Sequence, residues 1–204
     1  MRATLLTLAL LLLLPAESLA EWQLKPFVGV NFAGNTTIVD LDHAADKAHT
    51  AFGVNGLLLG QVFGVEGDVS WSPGFFKGSQ QFQANQQQLV LSSGVTTATA
   101  NLVIAFPRRW SQYTLRPYFV GGGGLMRVRI DHKGDVLKVD SSLPALDVGG
   151  GVTGFLTDRI GLSWDARYFR SLHGESKGLS IGNEQLSYWR AMMAVAIRAR
   201  KGTP

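Results

Sequence analysis

From Phe63 to Ser72 the chain reads FGVEGDVSWS, which splits into two interleaved sets. Phe63, Val65, Gly67, Val69 and Trp71 alternate with Gly64, Glu66, Asp68, Ser70 and Ser72. A polarity period of two belongs to a β-strand with unlike faces and fits no helix. The same split recurs from Ile160 to Phe169, where Ile160, Leu162, Trp164, Ala166 and Tyr168 oppose Gly161, Ser163, Asp165, Arg167 and Phe169. Extended along the chain, the pattern predicts eight strands: Gln23 to Phe32, Ala51 to Leu58, Val62 to Ser72, Val95 to Phe106, Arg116 to Ile130, Ala145 to Leu156, Ile160 to Ser171 and Gln185 to Ala199. No intervening segment reads as a helix. Pro26 lacks the amide a paired strand needs, which argues for a first strand starting after it.

The connections alternate in length. Leu59–Gln61 and Thr157–Arg159 are tight, Pro107–Leu115 is intermediate, and Ala33–Thr50, Pro73–Gly94, Asp131–Pro144 and Leu172–Glu184 are long and polar. Short turns at one end and long loops at the other describe an all-β, eight-stranded antiparallel up-and-down transmembrane β-barrel. A soluble barrel holding a small apolar ligand would use the same alternation with the apolar set inside.

The polar set separates these two readings. Glu66, Asp68, Arg127, Arg129, Asp147, Asp165, Arg167, Arg190 and Arg198 all read onto polar faces, with both signs represented. Closing eight strands with that face inward leaves a lumen just wide enough for side chains that satisfy one another. The first eight of these form the expected lumen network. Trp22, Tyr118, Trp164, Tyr168 and Trp189 are then expected in aromatic girdles at the membrane interfaces.

The first twenty residues stand apart. Arg2, the apolar run Leu5–Leu14, Pro15 and the small residues Ser18 and Ala20 read as a cleaved export signal, leaving residues 21–204 as one barrel domain. The run is too short to span a bilayer as a helix. With no cysteine, an exported chain rests on its hydrogen-bond ladder and packing alone. The formal charge of +4 is too mild and scattered to point to a nucleic acid.

Gly149, Gly151 and Gly154 in ALDVGGGVTGFL match the G-x-G-x-x-G spacing of dinucleotide sites. That motif requires a helix after the glycine turn. Here a tight turn and another strand follow, so the glycines read as relief for large neighbouring side chains. Gly121–Gly124 in RPYFVGGGGLMR read the same way.

RPYFVGGGGLMR and LDVGGGVTGFLTDRIGLSWDARYFRSL together resemble the last half of the outer membrane protein β-barrel domain family, small barrels similar to the membrane domain of outer membrane protein A. FGVEGDVSWSP resembles that family's third strand. The resemblance implies a location in the bacterial outer membrane, contact with its lipid, insertion by the barrel assembly machinery, and no catalytic residue, cofactor or cell-wall anchor. It also leaves room for an extracellular partner at the long loops. One departure stands out: the chain ends in RARKGTP, where family members commonly finish on an aromatic residue.

Two further chemistries are weighed. Arg170–Ser176 gathers serine, His173 and Glu175, the elements of a hydrolytic nucleophile in a lipid A-modifying enzyme, although neighbours on one loop rarely hold that geometry. Asp40, Asp42, His43, Asp46 and His49 cluster, but the calcium-loop pattern fails at its third acidic position and its glycine. The segment Phe75–Gln88 is glutamine-biased and reads as a surface tip. The expectation is a non-catalytic outer-membrane barrel with a structural or surface-recognition role, no cofactor, no metal and no nucleic acid.

Overall fold

A computed structural model describes residues 20–36, 48–75, 90–107, 115–132, 139–172 and 186–199. It contains β1 (Glu21–Thr36), β2 (His49–Leu59), β3 (Phe63–Pro73), β4 (Val90–Ala105), β5 (Leu115–His132), β6 (Val139–Phe155), β7 (Ile160–Ser171) and β8 (Leu186–Arg198). Each strand pairs antiparallel with the next, and β8 closes on β1. The expected eight-stranded barrel is therefore present, and every strand has its partner on both sides.

The register fixes the shape of the cylinder. Starting at Trp22 on β1, paired residues run through Leu58, Val65, Leu102, Gly121, Val148, Tyr168 and Trp189 and return to β1 at Phe32, ten residues further on. That stagger in eight strands corresponds to a tilt of roughly 40°. The ten residues from Trp22 to Phe32 then rise roughly 25 Å along the barrel axis, the height of a lipid-facing apolar band.

The outer surface fills this band. Trp22, Phe63, Leu115, Ile160 and Ile197 ring the end where β1 begins, β8 ends and the short turns lie; Phe32, Phe52, Trp71 and Trp189 ring the loop end, and Val28, Val69, Leu102, Leu125, Val148 and Val195 lie between, all exposed. Across the loop-end ring Phe52 pairs with Trp71, and Trp189 pairs with both Phe32 and Tyr168, its ring centroid 5.3 Å from that of Tyr168. A soluble barrel would turn these side chains inward, so the apolar-ligand alternative does not describe this fold.

Several strands run past their expected limits. β1 passes through Pro26, where its pairing with β8 skips Lys25 and Pro26 while Pro26 still faces Val54 on β2. The missing amide is absorbed as a local gap in one ladder. β4 starts at Val90 and β6 at Val139, several residues earlier than expected. These extensions lie beyond the apolar band, where neither face meets lipid and the alternation of polarity fades while backbone pairing continues.

Candidate functional site

The most unusual chemistry lies in the middle of the lumen. Glu66 and Asp68 from β3, Asp147 from β6, Asp165 and Arg167 from β7 and Arg190 from β8 all point inward and are buried. Arg167 donates from Nη1 to Glu66 Oε1 at 2.6 Å, and from Nε and Nη2 to the two oxygens of Asp165 at 2.8 Å each. Its Nη1 also lies 3.8 Å from Asp68 and from Asp147. Arg190 forks onto Asp68, Nη1 to Oδ1 at 3.1 Å and Nη2 to Oδ2 at 2.5 Å, and is flanked by the rings of Phe27 and Phe169 at 4.8 and 4.6 Å. Tyr118 donates to Asp165 at 2.7 Å. With its amide turned to satisfy both sides, Asn55 donates to Asp68 at 2.8 Å and accepts from Arg167 at 3.3 Å.

Such a cluster is stable only as a set. Taking each ion out of water costs several kcal/mol, and bidentate geometry with further hydrogen bonds is what offsets it. Asp147 is the exception, since neither of its oxygens has a hydrogen-bond partner.

Glycines make room for these large groups. A Cβ at Gly149 would meet Arg167 Cγ at 2.8 Å, and one at Gly151 would meet the Tyr118 hydroxyl at 2.8 Å. The G-x-G spacing is therefore packing relief opposite an arginine and a tyrosine, and no helix follows it.

The network is closed on the loop side by an apolar plug of Phe75, Val95, Met126, Val128, Ala145, Phe169, Leu186 and Tyr188. Phe75 stacks on His49 at 5.4 Å between ring centroids, so the first residue of the expected surface tip is instead core. On the turn side lies a cavity of about 410 Å³. There Arg116 donates to the carbonyls of Phe106, Gly60 and Gln61, tying two turns together.

Of the eight expected network residues, six meet in the lumen. Arg127 and Arg129 do not: both are exposed on the outer surface, alternating with the buried Met126 and Val128. They share phase with Phe119 and Leu125, which face lipid, and local polarity alone misassigned them. Their place near the loop end of β5 puts them beyond the apolar band, where outward charge is tolerated. Arg198 sits at the turn-end mouth, paired with Glu21. Tyr118, expected in a girdle, is buried in the lumen.

Lys25, Asn55, Asn101 and Arg116 were missed, although strand phase would have found them. In β1 the inward set Gln23, Lys25, Phe27 and Asn31 alternates with Trp22, Leu24, Val28 and Val30. Ser171 is buried and accepts from the Leu186 amide at 2.8 Å, an arrangement that ties β7 to β8. His173, Glu175 and Ser176, the loop Asp40–Asp46 and the rest of Phe75–Gln88 lie outside the described residues.

Residues 6–188 match the family described as outer membrane protein beta-barrel domain. The chain belongs to this family. Among solved structures it is similar to Neisserial surface protein A (13% identity, 86% of this chain and 97% of that chain, TM-score 0.58). It is also similar to the outer membrane protein OprG from Pseudomonas aeruginosa (14%, 90% and 97%, 0.55) and to the outer membrane protein AlkL in lipid bilayers (15%, 93% and 97%, 0.53). No curated protein matched in sequence. At these identities the structural likeness speaks for the fold, and this family member's barrel is a membrane barrel.

Proposed function

We propose that this family member is a closed, non-catalytic barrel of the bacterial outer membrane whose work is structural or recognitional, with the long connections facing outward. The observation that carries this is the double closure of the lumen: among the described residues, a buried ionic layer followed by an apolar plug leaves no open path for general diffusion. The two exposed apolar rings about one bilayer band apart, the loop-end one wholly aromatic, support lipid as its surroundings. Membership of the family supports export through the leader Met1–Ala20 and insertion by the barrel assembly machinery. Surface recognition would fall to the four long connections.

Fractionation of expressing cells, with electrophoresis of boiled and unboiled samples, tests this reading. It predicts an outer-membrane protein whose mobility shifts on heating and which gives no steady conductance in planar bilayers. A soluble periplasmic protein without a shift, or a large steady conductance, overturns it.

A further inference from the structure

The outer wall of the barrel carries its charge in one place. Among the described side chains, the outward faces of the strands hold three ionic groups, Arg127 and Arg129 on β5 and Arg170 on β7, all exposed and all at the loop end. The described strand carboxylates, Glu21, Glu66, Asp68, Asp147 and Asp165, share the inward phase instead. Wetting the wall above the apolar band would be served by either sign of charge. It does not account for three cations on two neighbouring outward faces.

The register sets these cations at the edge of the lipid. Arg127 stands two residues above Leu125 on one face, and Arg170 is the register partner of Leu146; both leucines are exposed on the apolar wall. Arg127 and Arg170 lie two strand spacings apart, and their register positions on β6, Ser142 and Leu146, are four residues apart. With the strand tilt, this puts the two arginines within roughly 4 Å of one depth and roughly 16 Å apart around the wall. Arg129 continues outward from Arg127 by about 7 Å. Arg127 has the hydroxyl residues Thr96 and Ser142 as register neighbours, whereas Arg129 stands opposite Asp140, so Arg127 is the centre of the patch. Both β5 arginines keep an interaction within the protein, and each has five N–H donors to share.

We propose that the β5–β7 face binds a bisphosphorylated sugar lipid, the lipid A chemistry of the outer leaflet, with one phosphate on Arg127 and Arg129 and the other on Arg170. A guanidinium fork meets a phosphate with two hydrogen bonds, and basic side chains clustered beside a membrane surface favour anionic headgroups. A free anion could meet the arginines, but only a ligand with acyl chains also covers Leu125 and Leu146 beneath them. Lipid A carries two phosphates on one sugar headgroup, which suits two cationic points at a common depth. The inference deepens the envelope role above and rests on the outward direction of the long connections.

The mature protein, folded in detergent micelles as shown by its heat-dependent mobility, is titrated with lipid A, dephosphorylated lipid A and phosphatidylglycerol, and bound lipid is counted by native mass spectrometry. The proposal predicts saturable binding of lipid A, about tenfold or more tighter than either of the other two. Arg127→Gln combined with Arg129→Gln weakens it by about tenfold or more, Arg170→Gln by about fivefold, and Arg159→Gln in the turn at the opposite end leaves it unchanged. Equal affinity for the dephosphorylated lipid or for phosphatidylglycerol overturns the site, as does a double variant that binds like the parent. If the double variant does not fold, the three lipids on the parent protein and Arg170→Gln decide. Micelles have no leaflets, so this result is independent of orientation, which labelling of a cysteine placed in a long connection on intact cells tests separately. A barrel that fractionates with the outer membrane yet shows no preference for lipid A removes the site and leaves the envelope role standing.

Discussion

Arg167 on β7 and Glu66 on β3 stand 101 residues apart in sequence and meet across the lumen at 2.6 Å, Nη1 to Oε1. The same guanidinium grips Asp165 with its other edge, so one side chain joins opposite walls of the cylinder. Arg167→Met is therefore expected to strand Glu66 and Asp165 as neighbouring unpaired carboxylates. It should cost about 3–5 kcal/mol in equilibrium urea unfolding from lipid vesicles. Asp147→Asn, which removes a carboxylate that accepts no hydrogen bond, should change stability by less than about 1 kcal/mol. Equal losses from the two variants would contradict this division of roles.

The lipid face predicts a dependence on depth. Val69 lies outward on β3 within the apolar band, while Thr96 on β4 pairs with Trp71 of the loop-end ring. Val69→Arg should cost about 2–4 kcal/mol, and Thr96→Arg no more than about 1 kcal/mol, in the same unfolding assay.

Space in the lumen predicts unlike responses at two glycines. Gly151→Ala places a methyl group against the Tyr118 hydroxyl and the β7 backbone, and should lose about 1–3 kcal/mol. Gly67→Ala faces open space on the outer surface and should leave the unfolding free energy within about 0.5 kcal/mol of the parent.

Strand number, direction and sidedness were legible because burial in lipid on one face and in a polar lumen on the other imprints a two-residue period. Legibility ended where that contrast ended. Arg127 and Arg129 look like lumen residues locally, yet continuing the phase of Phe119 and Leu125 sends them outward. Tyr118 looks like a girdle aromatic, but Gly151 opposite opens the interior to it. Lys25 was legible in the phase of β1, which sets it inward with Gln23 and Phe27; its partners Thr153 and Tyr118 across the lumen are not encoded there. The pairing of Arg167 with Glu66 is a relation between strands three and seven, which the alternation within either strand does not encode.

The central claim is sidedness, and the natural absence of cysteine makes it directly measurable. Single cysteines placed from Val65 to Trp71 on β3, spin-labelled in lipid vesicles, report oxygen accessibility residue by residue. The account predicts high accessibility to membrane-dissolved oxygen at 65, 67, 69 and 71 and low accessibility at 66, 68 and 70. The opposite phase, or no alternation, would contradict a barrel with its ions inside and its apolar face in lipid.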